Sequence, residues 1–167
     1  MEQIILHTHD ANWKKNFANE KQLLIRSLKQ QPINIHHVGS TAIPDLLAKP
    51  IIDIAIEAAV FPPVQLVIEQ LSSIGYEYRG EAGVDGRHWF TKGIPRTFNL
   101  HYCALNSPIV KSQLAFRDSL IRSEQLRREY EQIKIKNSVG RDIDDGDYAL
   151  AKSPLIRKVI DQPGLYA

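Results

Sequence analysis

The residues best suited to chemistry lie together in the stretch HHVGSTAIPDLLAKPIIDIAIE, from His36 to Glu57. Gly39 and Ser40 follow a strand-like run, and that pair has a physical use. Glycine lets a phosphate approach the backbone, serine adds a hydroxyl donor, and free N–H groups at a turn or helix start attract anions. Gly39-Ser40-Thr41 also makes an ordinary turn, so the pair alone does not decide. Asp53 adds weight. It stands inside the apolar run IIDIAIE, where an unpaired carboxylate is costly to bury, and it therefore requires a metal, a cation or a hydrogen-bond donor. A structural salt bridge satisfies that need as well as a ligand does. Alternation puts Ile52, Ile54 and Ile56 on one face of the strand and Asp53, Ala55 and Glu57 on the other. The first face is core; the second opens toward something polar.

The elements that must position these residues follow from spacing and punctuation. Asp10 can cap a helix with Trp13, Phe17, Leu24 and Leu28 on one face, ended by Pro32. A strand from Ile33 to Val38 leads into the Gly39 turn. After the IIDIAIE strand, Pro62-Pro63 starts a helix carrying Leu66, Ile68, Leu71 and Ile74, and Gly75 closes it. Strands are expected around Tyr76 to Arg79, Arg87 to Thr91 and Thr97 to Ala104. Ser107-Pro108, Ser123 and Ser153-Pro154 signal three further helices, with Leu126, Tyr130 and Ile133 on the second and Leu155, Ile156, Val159 and Ile160 on the third. This order predicts an α/β fold of the α+β type, a mixed β-sheet flanked by α-helices, with residues 1–167 as one domain.

Composition sets the outer limits. With 167 residues, 43% apolar and 24% charged, the chain is an ordinary globular sequence, and a net charge of +2 is too small for a general polyanion binder. From Lys111 to Arg141, however, eight Lys/Arg face four Asp/Glu. That surplus fits a solvated helical face, or a site for phosphate or RNA. Cys103 is the single cysteine, which excludes an intrachain disulfide and a thiolate zinc cluster. No stretch reaches the ~20 apolar residues of a membrane helix, and MEQIILHTHD has no leader character. A cytoplasmic protein with no membrane partner is expected.

The pattern His37, Gly39, Ser40, Thr41, Pro44, Lys49, Pro50 and Asp53 resembles the GrpB family, in which a histidine-glycine-serine-threonine run precedes a proline and a lysine-proline-x-x-aspartate strand. The resemblance extends over essentially the whole chain. His9-Asp10 with Trp13 and Phe17, GYEYRGE from Gly75, GRHWF from Gly86, RTFNLHY from Arg96, Phe116-Arg117-Asp118, and Tyr148 with Ala151-Lys152-Ser153 all follow in order. It implies a nucleotidyltransferase-like fold with the Gly-Ser turn and the aspartate strand at the ligand site. His37, Gly39, Ser40, Thr41, Lys49, Arg87, Arg96 and Lys152 become candidate contacts to a phosphorylated ligand, the arginines by bidentate hydrogen bonds and the lysines as point charges. His37 can instead orient the turn.

The chain departs from a working transferase of that superfamily, which holds two magnesium ions, about 3.5–4 Å apart, with an Asp-x-Asp or Asp-x-Glu pair and a third carboxylate. Two residues after Asp53 comes Ala55. Glu57 is on the right face, but four extended residues span about 13 Å. In FNLHYC, Asn99 and His101 occupy the polar positions of the later strand, so His101 is a candidate metal ligand, general base or partner for Asp53. Asp53, Glu57 and His101 are the candidate metal ligands, and Asp53 and His101 the candidate catalytic pair. The metal would be magnesium or manganese, or zinc if the imidazole coordinates. The expected ligand is a nucleoside triphosphate or other phosphorylated small molecule, with transfer of a nucleoside monophosphate as the reaction if catalysis is retained. The alternatives are a degenerate transferase fold that binds a ligand or a partner protein, and an RNA-associated module.

Overall fold

A computed structural model describes residues 3–29, 31–143 and 146–162. Five strands form one sheet in the order β1 (Ile33–Val38), β2 (Ile52–Ala58), β5 (Phe98–Ala104), β4 (Arg87–Lys92), β3 (Tyr76–Tyr78). The central β2–β5 pair is parallel, and every other pair is antiparallel. The sheet is mixed, as the order of elements predicts. Helices α1 (Asn12–Ser27) and α2 (Gln65–Ser73) precede and follow the first two strands, and α3 (Pro108–Arg122), α4 (Glu124–Ser138) and α5 (Gly146–Asp161) come last.

One sheet face is core throughout. Ile52, Ile54 and Ile56 of β2, with Leu100, Tyr102 and Phe90, pack against Trp13, Leu24 and Leu28 and against Val67 and Leu71 of α2. The opposite face is divided. Ala55 in its middle and Cys103 beside Glu57 are fully buried and cluster with Val38 and with Val110 of α3, so that face does not open along its whole length. Its polar residues include Asp53 at one end, Glu57 at the other, and Asn99 and His101 on β5. A third apolar cluster holds the C-terminal helices together and ties them to the loop after β1 through Ile43 and Leu46.

The helix starts follow the side chains that cap them. Asp10 Oδ1 accepts the Asn12 N–H at 2.8 Å. Ser107 and Ser123 accept from Ile109 and Leu126, so each serine satisfies one orphan donor of the helix it opens. Two boundaries differ from the sequence reading. Helix α2 begins at Gln65, past the prolines, and buries Val67 and Leu71; Leu66 is exposed. Helix α5 begins at Gly146, so Ser153-Pro154 lies inside it. Proline there removes one i→i−4 hydrogen bond, and Ser153 Oγ turns back onto the Ala149 carbonyl at 3.3 Å. As a result Tyr148 and Lys152 are helical, one turn apart on the same side.

Candidate functional site

Backbone pairing builds the site. In the sheet Val38 stands opposite Asp53, and Asp53 opposite Asn99, so the end of β1, the carboxylate and the amide share one neighbourhood. Gly39 then leaves the strand at φ +70°, ψ −173°, a conformation that is essentially reserved for glycine. A single 3₁₀ turn follows at Ser40–Ala42. A Cβ on Gly39 would stand 2.3 Å from Asp53 Oδ2. Only a residue without a side chain lets the carboxylate lie against the turn.

Around that corner is a cavity of about 740 Å³. The sheet and turn supply Gly39, Ser40, Lys49, Asp53, Asn99 and His101; the helices supply Arg117 of α3, Tyr130 and Lys134 of α4, and Tyr148 and Lys152 of α5. Asp53 is the one carboxylate among the described lining residues, against three lysines and an arginine.

Asn99 Nδ2 donates to Asp53 Oδ1 at 2.9 Å, and His101 Nε2 lies 3.8 Å from the same oxygen, beyond hydrogen-bonding distance. Burial alone would raise the Asp53 pKa. The His101 imidazole, the Asn99 hydrogen bond and the Lys49 charge outweigh burial and hold it below the usual carboxylate range. Its side chain keeps 29% exposure, enough for a ligand to reach it.

For two of the lysines it is the charged form that is disfavoured. Lys134 is buried, and it donates to the Leu47 carbonyl and, at 3.4 Å, to Ser40 Oγ. Burial, with the Lys152 charge, lowers its pKa to about 7. Lys152 lies 4.1 Å from the centre of the Tyr148 ring. Burial, then the Lys49 charge, brings it to about 8. Lys49 Nζ donates to the Ile143 carbonyl at 3.0 Å and lies 5.3 Å from the same ring. These cations line one space, and Lys134 and Lys152 are destabilised by desolvation and by neighbouring charge. An anion placed among them relieves that repulsion.

The sequence candidates thus separate into two groups. Gly39, Ser40, Lys49, Asp53, His101 and Lys152 meet at the cavity. The others lie elsewhere. His37 faces the α1 side, stacked on Phe17 at 4.6 Å, and its Nε2 meets Thr41 Oγ1 at 2.9 Å. Both residues shape the turn from behind; neither is among the cavity-lining residues. Glu57 is at the far end of β2, where its Oε2 lies 3.2 Å from His36 Nε2. Arg87 donates to the Glu81 and Ala82 carbonyls, and Arg87 and Arg96 lie over the Trp89 ring at 5.9 and 5.2 Å, outside the lining.

Sequence reasoning missed Lys134, Arg117 and Tyr130. For Lys134 a signal existed: Leu126, Tyr130, Lys134 and Ser138 recur every four residues and are all buried, so a lysine interrupts the apolar stripe of α4. Arg117 donates through Nη1 to the His37 carbonyl at 2.9 Å, a contact between elements 80 residues apart that no local pattern marks. The basic surplus of residues 111–141 is likewise distributed: Arg117 and Lys134 go to the cavity, Arg127 caps the Leu120 and Ile121 carbonyls, and Arg128 pairs with Glu124.

Among the described residues the fit for a metal is poor, and no group of three or more His, Cys, Asp or Glu is placed to hold an ion. Asp53 Oδ1 already accepts from Asn99, and Glu57 is committed to His36. Also among the described residues, no helix is long and apolar enough to cross a membrane.

Comparison with known proteins agrees with the residues. The chain is 30% identical over 166 residues to the glutamate-rich protein GrpB of Alkalihalophilus pseudofirmus, covering 96% of this chain and 95% of that one. It is 38% identical over 133 residues to the UPF0157 protein YqkA of Bacillus subtilis, covering 79% of this chain but 38% of YqkA. The crystal structure of the conserved protein GrpB from Enterococcus faecalis superposes with a TM-score of 0.77 at 30% identity, over 92% of this chain and 98% of that one. The RNA terminal uridylyl transferase Cid1 overlays 80% of this chain with 45% of its own, at 16% identity and a TM-score of 0.46. A family model described as GrpB protein matches residues 3–162, and the chain belongs to the GrpB family.

Proposed function

We propose that this protein binds a nucleotide or another phosphorylated small molecule in the cavity at Gly39, Ser40 and Asp53, without polymerase-like two-metal chemistry. The observation that carries the reading is that Lys134, Lys152 and Arg117 line one cavity together with the Gly39-Ser40 turn. The phosphate would sit against the turn and Lys152, with Ser40 Oγ as a donor. Lys134 holds Ser40 and the Leu47 carbonyl in place behind it. Asp53 would meet a hydroxyl or amine of the ligand, or lend one oxygen to a divalent ion that arrives with a polyphosphate. Two adjacent magnesium ions carry four positive charges, and the described lining offers one carboxylate to offset them.

The test is thermal. A ligand that binds only the native state raises its melting temperature. Nucleoside di- and triphosphates, inorganic phosphate and pyrophosphate, with and without magnesium or manganese, are expected to raise it, and Lys152→Met is expected to remove most of the rise. No shift with any phosphorylated ligand would overturn the reading and favour a protein-interaction module. Robust magnesium-dependent transfer of a labelled nucleoside monophosphate, lost in Asp53→Asn, would overturn the exclusion of two-metal chemistry.

A further inference from the structure

The cavity is not polar throughout. On α5, Tyr148, Lys152, Ile156 and Ile160 all line it, and their spacing of four puts them along one side of the helix. From Lys152 to Ile160 is eight residues, about 12 Å of helix. The lining along α5 therefore changes character along a single axis, from Lys152 to two isoleucines. Helix α3 supplies Phe116 to the same wall, packed with Ile156 against the cluster that contains Ile43 and Tyr130. Phe116, Ile156 and Ile160 each keep part of their surface exposed.

This gradient constrains the ligand. A molecule polar along its whole length would bury hydroxyls or amides against the side chains of Phe116, Ile156 and Ile160, which carry no donor or acceptor, and each such group left unpaired costs free energy. A bare phosphate would leave the apolar wall in water. The arrangement that satisfies both ends is an anion at Lys152 with an apolar body directed toward Ile160. We propose that the physiological ligand is an amphiphilic phosphate ester, its phosphate at the Gly39-Ser40 turn and its apolar portion along Phe116, Ile156 and Ile160. This rests on the phosphate-binding reading and names the class of molecule that reading leaves open. The apolar portion is an alkyl or isoprenoid chain.

The experiment uses the full chain and compares inorganic phosphate, the n-alkyl phosphates from methyl to octyl, and adenosine monophosphate by titration calorimetry. Affinity is expected to rise about fourfold per added methylene while the chain remains within the cavity, then level off. A flat alkyl series with a gain for the nucleotide alone overturns the inference in favour of a nucleotide. Ile160→Asn is expected to remove most of the alkyl gain and leave inorganic phosphate binding within error. Ile160→Ala serves where that variant does not fold. Equal affinity for phosphate, alkyl phosphates and nucleotide overturns the inference, as does a gain that persists undiminished in the Ile160 variant. Failure of every phosphate, inorganic included, to bind is the separate result that overturns the phosphate-binding reading itself.

Discussion

The carboxylate of Asp53 lies against the backbone of Gly39, so close that a Cβ there would stand 2.3 Å from Oδ2 and 2.9 Å from the Asp53 Cβ. The second contact persists whatever the carboxylate does, because β1 and β2 are paired at this point through Val38 and Asp53. Gly39→Ala is therefore expected to destabilise the fold by about 2–3 kcal/mol, from backbone strain and from the clash together. Urea unfolding measures it. A loss below about 0.5 kcal/mol would show that the turn can move away from the strand.

Ligand affinity should depend on pH through the lysines. Lys134 and Lys152, lowered to about 7 and about 8 in the free protein, gain protons when an anion neutralises the site. Binding is then tightest below pH 7 and weakens as pH rises through 7 to 9, by at most about tenfold per pH unit for each linked proton. A phosphate monoester, with its second pKa at about 6, is already dianionic there, so the ligand does not cause the trend. Calorimetry in buffers of different ionisation enthalpy counts the protons taken up. A pH-independent affinity above pH 7 would exclude the lysines from the site.

His37 makes a prediction on the acid side. Burial, helped by the Arg117 and His9 charges and opposed by Asp53, lowers its pKa from 6.5 to about 4. The unfolded chain then binds the extra proton between pH 6.5 and 4 and the native state does not. Stability is present above pH 6.5 and is lost as pH falls through that window. His37→Gln should flatten that part of the melting-temperature profile and keep the hydrogen bond to Thr41. An unchanged slope would place the acid sensitivity elsewhere.

Asp53 and Glu57, two turns of the pleat apart on one strand face, should behave differently. Asp53→Asn is expected to change the ligand-induced melting shift; Glu57→Gln, whose partner is His36, is expected to leave it within error. A Glu57 variant that abolishes a metal-dependent shift would show the strand bending to bring both acids to one ion.

The strands were legible because β1, β2, β4 and β5 are short apolar or alternating runs bounded by Gly, Pro or Asn, and because Asp53 is conspicuous within one of them. The Ser107 and Ser123 caps were legible for the same local reason. What local pattern could not carry was the order of the sheet. Asn99 and Asp53 become neighbours only because β5 inserts beside β2, which is also what sends Arg87 and Arg96 on β4 and its following turn away from the cavity. Ser153-Pro154 misled because the same dipeptide that opens α3 at Ser107-Pro108 is tolerated inside α5, where surrounding packing outweighs one lost backbone hydrogen bond. Lys134 was hidden by the habit of assigning lysines to water; its position on a stripe of buried residues was the only clue.

Helix α5 packs chiefly on α3 and α4, and yet its Tyr148–Ile160 side completes a cavity whose opposite wall belongs to the sheet. Lifting α5 would dismantle the site and leave the sheet with its α1 and α2 cover intact. Openings of that kind are local fluctuations with their own free energy, smaller than that of global unfolding. A bound molecule spanning the two walls suppresses them selectively. Its signature is slower amide hydrogen exchange along α5, far out of proportion to any change in β2 or β5, so that the last helix acts as the reporter of occupancy.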